Sequence, residues 1–182
     1  MHYGAIKKCD IANGEGIRVS LFVSGCRNRC KGCFQPETWD FTYGKPFDEA
    51  AMEEIFSALD NPSVRGITIL GGEPTEPENQ PEILALLREF KRKFPDKTAW
   101  LYTGNIYEEL TGELKGHRAH TEHIAELLSL LDILVDGRYI EEEKSLGLRF
   151  RGSKNQRVID MNATRAEGKI VIWSGTREDR YF

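Results

Sequence analysis

The sequence is poor in sulfur and has no excess of positive charge. Four cysteines and three methionines in 182 residues are too few for a disulfide scaffold. Twenty-five Lys and Arg against 29 Asp and Glu leave a net charge of −4, which provides no broad basic surface for nucleic acid. No apolar run approaches the roughly 20 residues that a membrane-spanning helix needs. The first residues, MHYGAIKKCDIANGEG, lack the apolar stretch of a secretory signal. Internal repeats and low-complexity tracts are also missing. These absences leave a cytoplasmic enzyme or binding protein, with neither a membrane nor a nucleic-acid partner, as the expectation. What is present is ordinary: 40% hydrophobic and 30% charged residues, and a length suited to one domain over residues 1–182. The polar ending SGTREDRYF is expected to fray from about residue 174.

Apolar runs alternate with amphipathic stretches. IRVSLFVSG (17–25), GITILGG (66–72), TAWLYTG (98–104) and DILVDGRY (132–139) read as strands, and KIVIW (169–173) is a candidate for a last one. FDEAAMEEIFSAL (47–59) reads as a helix capped by Asp48, with Ala51, Ile55, Phe56 and Leu59 at helical spacing. QPEILALLREFKRKF (80–94), with Pro81 in its first turn, and HIAELLSLL (123–131) read as two more. Near-continuous apolar strands separated by helices imply βαβ units and a mainly parallel sheet. The first four strands run into GC, GGEP, TG and DG. In a parallel sheet such ends share one edge, so the four turns are expected to converge on one pocket.

Three of the four cysteines, Cys26, Cys30 and Cys33, fall within eight residues in the spacing Cys-x3-Cys-x2-Cys. Three thiolates on one loop can hold three corners of an iron–sulfur cube and leave one iron open to a substrate. Structural zinc is an alternative, but it needs a fourth ligand and usually a paired Cys-x2-Cys. His117, His120 and His123 could supply that ligand, but they lack finger-like spacing and a solvated helix entry is the favoured account of them. Unliganded or redox-active thiols are the remaining alternative. Cys9 reads as a small packed side chain rather than a ligand. Arg27, Arg29 and Lys31 are either solvated loop charges or a means of raising a cluster's potential. The EEEK run, 141–144, reads as solvated surface. Asp136 either binds ribose hydroxyls or makes an Asp-Gly turn with Gly137.

Cys-x3-Cys-x2-Cys followed by an aromatic, Phe34, resembles the signature of radical S-adenosylmethionine enzymes. GGEP, Gly71 to Pro74, resembles the strand-end motif with which those enzymes contact the amino group of S-adenosylmethionine. The ordered set DIANGEGIR, LFVSGC, TW, GKPF, WLYTG, DILVDGRY and LRFRGSKNQRVID is similar to the activases of anaerobic ribonucleoside-triphosphate reductase, from Asp10 to Asp160. Two departures stand outside the motifs: the stretch around residues 112–123 is longer than the family pattern, and residues 161–182 extend past its usual end. Both put partner-facing surface, rather than chemistry, in question.

The resemblance implies a shortened, open (β/α) partial barrel of the radical S-adenosylmethionine type. It implies a [4Fe–4S] cluster held by Cys26, Cys30 and Cys33, with S-adenosylmethionine chelated at the open iron. One electron, from a flavodoxin or ferredoxin-type donor, cleaves the cofactor to methionine and a 5′-deoxyadenosyl radical. That radical takes a hydrogen from a glycine of the large reductase subunit. Gly32, Cys33, Phe34, Gly71, Gly72, Glu73 and Thr103 are the candidate cofactor contacts, Phe34 offering its ring to adenine. No catalytic side chain is expected beyond the cluster ligands. Within the class, an activase of another glycyl-radical enzyme, of formate-lyase type, or a small-molecule radical enzyme is the alternative. A non-catalytic zinc or iron–sulfur binding module is the alternative outside it.

Overall fold

In a computed structural model, which describes residues 1–175, the strand-forming runs assemble into one open seven-stranded sheet. The strands are β1 (His2–Asp10), β2 (Ile17–Val23), β3 (Lys45–Pro46), β4 (Val64–Gly71), β5 (Thr98–Tyr102), β6 (Ile133–Asp136) and β7 (Arg157–Asp160). Their order across the sheet is β3-β1-β2-β4-β5-β6-β7. The helices are α1 (Glu49–Leu59), α2 (Gln80–Lys93), α3 (Tyr107–Thr111), α4 (Ile124–Ser129) and α5 (Met161–Glu167). Asp48 caps α1 as its position predicts, its carboxylate accepting the Ala51 N–H at 3.0 Å.

Only the middle of the sheet is parallel. β2, β4, β5 and β6 pair in parallel, whereas β1 is antiparallel to β2 and to β3, and β7 to β6. The expectation of a mainly parallel sheet is corrected to a mixed one, and the connections explain why. β1 returns into β2 through a short turn, and β6 reaches β7 with no α-helix between them, so neither connection makes a crossover. KIVIW forms no strand. It lies beside β7 through Asp160 N to Val171 O (2.9 Å), Trp173 N to Val158 O (2.8 Å) and one isolated bridge, Ile159 to Ile172. The fraying expected from about residue 174 falls almost wholly on residues 176–182, outside the described residues.

Both faces of the central strands are covered, which is why these strands read as unbroken apolar runs. Leu21, Ile69, Leu101 and Leu134 stand in one register row across the four parallel strands, and all are fully buried. That row shares a core with Ile55, Ile83, Leu87, Phe90 and Leu127 of the helices. Each such side chain contributes about 1.5–3 kcal/mol of burial. A smaller cluster on the opposite face joins Trp100, Ile133, Val135 and Val158 to Tyr102, Phe150 and Trp173.

The amino ends of the parallel strands are tied together by Arg18, which is buried. Its guanidinium donates to Thr68 Oγ1 (2.6 Å), Ile67 O (2.6 Å), Thr98 O (2.8 Å) and Thr98 Oγ1 (3.0 Å), and it lies 5.2 Å from the Trp100 ring centroid. Burial pulls its pKa down to about 10, still well above neutrality, so these bonds are made by a cation. With one end of the sheet closed in this way, the opposite edge is left for the cysteine loop. No helix among the described residues is long and apolar enough to cross a membrane.

Candidate iron–sulfur and cofactor site

The four strand-end turns meet, as the parallel order requires. Gly72 N donates to Val23 O at 2.8 Å and Glu73 N to Gly25 O at 2.8 Å, joining the GGEP turn to the start of the cysteine loop. Thr103 N donates to Val135 O (2.9 Å) and Gly137 N to Asn105 O (3.2 Å), joining the third turn to the fourth. A methyl group at Gly72 would stand 2.8 Å from Gly25 O and 2.9 Å from Thr38 O. Glycine is required there because two backbones approach each other.

The cysteine loop leaves β2 and returns through a short 3-10 turn at Pro36–Trp39. Gly25 N donates to Thr38 O (2.8 Å) and Cys26 N to Trp39 O (3.2 Å), closing its base, while Cys33 N donates to Cys30 O (3.2 Å) within it. Cys26 is buried; Cys30 and Cys33 are half-buried. All three thiols are free of disulfides. Burial pushes the Cys26 thiol up to about 11, and the neighbouring Glu73 adds to the effect. Cys30 is also raised by burial, against a backbone hydrogen bond from Tyr139 that favours the thiolate. Both therefore rest as thiols, which lose their protons when they bind metal. A zinc ion would gather its thiolate sulfurs within roughly 4 Å of one another. Among the described residues, no three Cys, His, Asp or Glu side chains converge to hold a single metal ion. The donor set, three unpaired thiols at Cys-x3-Cys-x2-Cys spacing on one short loop, has the chemistry to hold three irons of an iron–sulfur cube. An open cleft of about 770 Å³ borders Cys26 and is lined further by Arg27, Arg29, Trp39, Phe41 and Tyr43.

Glu73 is the buried hub of the first three turns. Its Oε1 accepts Thr75 N (2.9 Å), Thr75 Oγ1 (2.7 Å) and Thr103 Oγ1 (2.7 Å); its Oε2 accepts Asn28 Nδ2 (2.8 Å) and Gly104 N (2.8 Å). Burial pushes its carboxyl up, opposed by the bonds from Thr103, Thr75 and Gly104 that favour the anion. Thr103 thus spends its hydroxyl on Glu73. Asn79 adds a clamp, its Nδ2 donating to Ser24 O (3.0 Å) and Glu73 O (3.0 Å).

A second carboxylate, Glu76, has a side chain with no exposed surface and lies under the loop. It accepts Arg27 N (2.8 Å) and Arg27 NH1 (2.8 Å), together with Nε and NH2 of Arg118 at 3.0 Å each. Burial pushes its carboxyl up, but the hydrogen bonds of Arg118 and Arg27 outweigh this and hold it below the usual carboxylate range. Asn28, Thr75, Glu76, Asn79 and Arg118 were not among the sequence candidates. The one available signal was the acidic series Glu73, Glu76 and Glu78 facing a loop that carries Arg27, Arg29 and Lys31.

The contacts correct the expectations for the loop charges and Cys9 and give the surroundings of the other residues. Arg27 and Lys31 are not merely solvated: Arg27 pairs with Glu76 and Glu78, and Lys31 Nζ lies 3.2 Å from Glu141 and 2.9 Å from Glu142. The EEEK run is therefore exposed yet tied to the cysteine loop. Phe34, 74% exposed, has its ring 5.8 Å from that of Tyr139 and 5.4 Å from Lys144 Nζ. Asp136 is buried and occupied by Arg157 and the Tyr107 N–H (2.8 Å), leaving it to brace α3 rather than reach a ribose. Cys9 is exposed in β1, not packed. His117 Nδ1 accepts the Ala119 N–H (3.2 Å), and His120 Nδ1 lies 2.9 Å from Leu110 O.

Residues 12–159 match a family described as a 4Fe-4S single cluster domain. The chain is 37% identical over 158 residues to the anaerobic ribonucleoside-triphosphate reductase-activating protein of Haemophilus influenzae, across 86% of this chain and 96% of that one. The protein of the same name from Enterobacteria phage T4 is 37% identical over 160 residues, 87% of this chain and 93% of that one. Its Escherichia coli K12 counterpart is 35% identical over 158 residues, 86% of this chain and 96% of that one. The family match runs through the cysteine loop, the GGEP turn and all four parallel strands, and by its relatives the chain belongs to the family of anaerobic ribonucleoside-triphosphate reductase-activating proteins.

Proposed function

We propose that this chain is a radical S-adenosylmethionine activase that generates the glycyl radical of an anaerobic ribonucleoside-triphosphate reductase. The observation that carries the reading is the cysteine loop, three free thiols at Cys-x3-Cys-x2-Cys spacing, set on the edge where four strand-end turns converge. When bound, the cluster and S-adenosylmethionine supply reductive cleavage of the cofactor and the 5′-deoxyadenosyl radical that takes the glycine hydrogen. The protein's own residues hold and orient. Cys26, Cys30 and Cys33 ligate iron. Gly32, Phe34, Gly71, Gly72, Glu73 and Thr103 form the cofactor side, Glu73 and Thr103 acting through the hydrogen bonds that fix the turn.

The open sheet, with antiparallel strands at both edges, supports reading the fold as a partial barrel within one radical S-adenosylmethionine domain over residues 1–182. The lateral opening of such a barrel suits a macromolecular substrate that must insert a glycine loop. The large reductase subunit is that partner, and an electron donor of flavodoxin or ferredoxin type completes the reaction. The relatives do not favour a formate-lyase-type activase or a small-molecule enzyme. The test is anaerobic incubation of reconstituted protein, S-adenosylmethionine and a reductant with the reductase. A glycyl-radical doublet is expected by electron paramagnetic resonance, and it should vanish when the target glycine is alanine. Cofactor turnover coupled to a small metabolite, with no radical on the reductase, would overturn the reading.

A further inference from the structure

Arg118 belongs to the 112–123 stretch, which carries no motif, yet it reaches the cysteine loop. Its NH2 donates to Asn28 Oδ1 at 2.8 Å, and its Nε and NH2 straddle the two oxygens of Glu76. Asn28 lies between Cys26 and Cys30 and has its other amide atom, Nδ2, on Glu73. It is therefore a link held at both ends, and Arg118 provides one of them. The segment that presents Arg118 is itself anchored. Ala119 is fully buried and its carbonyl accepts Gln80 Nε2 (2.9 Å), while Thr121 Oγ1 donates to Gln80 Oε1 (2.5 Å). Arg118 thus acts from a platform fixed to α2.

We propose that Arg118 is a positioning residue for the iron–sulfur site. Through Asn28 and Glu76 it fixes the Cys26–Cys30 span, and its charge makes the bound cluster easier to reduce. The inference rests on the reading that Cys26, Cys30 and Cys33 hold the cluster. Without Arg118, buried Glu76 keeps Arg27 alone, whose side chain is the more exposed of the two and is shared with Glu78. Asn28 Oδ1 loses its guanidinium donor as well, and an acceptor left unpaired in a partly buried site is costly. Lysine would restore the charge but not the fork that spans Glu76 and Asn28 together.

Arg118→Ala and Arg118→Lys in the full chain separate these effects. In cluster-free protein, peptide-resolved alkylation of Cys26 and Cys30 should run about tenfold faster in Arg118→Ala, the effect of one charge-assisted contact. In reconstituted protein, iron release to a chelator should accelerate in both variants. The cluster's midpoint potential should fall in Arg118→Ala and return in Arg118→Lys. Should Arg118→Ala fail to fold, Arg118→Lys carries the test through alkylation and iron release. Unchanged alkylation, iron release and potential would overturn the proposal, as would a lower melting temperature with those three unmoved. If the unaltered protein holds no iron, the underlying reading fails, and alkylation of the cluster-free chain still decides whether Arg118 orders the loop.

Discussion

Gly72→Ala is a small substitution with a large expected effect. The added methyl would lie 2.8 Å from Gly25 O and 2.9 Å from Thr38 O, where carbon and oxygen ordinarily approach to no less than about 3.3 Å. Neither oxygen can yield freely. Gly25 O accepts Glu73 N at 2.8 Å and Thr38 O accepts Gly25 N at 2.8 Å, so relief must come from moving the base of the cysteine loop. Overpacking of this kind costs about 1–3 kcal/mol. Weakening two backbone hydrogen bonds adds about 1 kcal/mol. A total of about 2–4 kcal/mol corresponds to a melting temperature lower by roughly 5–15 °C in a domain of this size. The assay is thermal unfolding of cluster-free protein, followed by iron content after anaerobic reconstitution, and both should fall. The sequence alone places Gly72 against the cofactor, so that Gly72→Val would lose S-adenosylmethionine affinity with the cluster intact. The geometry instead expects cluster and cofactor to be lost together. Gly116 is the control, because a methyl group there would meet nothing within 4 Å and its φ is +81°. Gly116→Ala should cost about 1 kcal/mol and leave iron content unchanged. A Gly72→Ala protein that melts with the unaltered chain and loads its full iron would refute the reasoning.

Two further outcomes are expected. Replacing Cys26, Cys30 or Cys33 by Ala should abolish a cluster of about four irons and four sulfides per chain, while Cys9→Ala should keep it; loss of iron in Cys9→Ala would show the ligand set to be wrong. Asp132 ties α2, β5 and α5 together by accepting Lys91 Nζ (2.6 Å), Ala99 N (2.8 Å) and Asn162 Nδ2 (3.1 Å). Burial pushes its carboxyl up, but those three bonds together hold it below its ordinary 3.8. Its contribution is therefore complete above that value and is lost as pH falls through the lower, folded-state one. Asp132→Asn should cost about 2 kcal/mol at pH 7, read from urea midpoints, and the gap to the unaltered chain should close in acid.

The cysteine loop and the GGEP turn were legible because their chemistry is local: spacing alone distinguishes three thiols on a loop from scattered ones. The convergence of four turns was legible because parallel strands leave no other place for their ends. The bracing of the loop was not. Glu76, Asn28 and Arg118 are single polar residues whose partnership exists only after α2 and the 112–123 stretch have packed, and no periodicity announces it. Glu73 was read as part of the strand-end motif, but its carboxylate faces five protein donors, a burial that a motif cannot express. β1 escaped notice because it is a half-exposed strand next to an edge, with polar and charged residues where an apolar run would have signalled it. The antiparallel margins escaped because connection length and content, rather than strand composition, decide direction.

The braces of the cysteine loop have an order in time as well as in space. Among the described residues, apart from the pairing of Ser24 N with His2 O, they come from residues later in the chain, including Gly72, Glu73, Glu76, Glu78, Asn79, Arg118, Tyr139, Glu141 and Glu142. A ribosome adding on the order of 10 residues per second delivers the three thiols to solvent several seconds before it delivers Arg118. During that interval the thiols belong to a nascent segment with no partner to shape it, open both to oxidants and to whatever donates iron. The part of the protein made among the first is thus among the last to acquire its form, and oxygen encountered during translation meets Cys26 before the later residues have buried it.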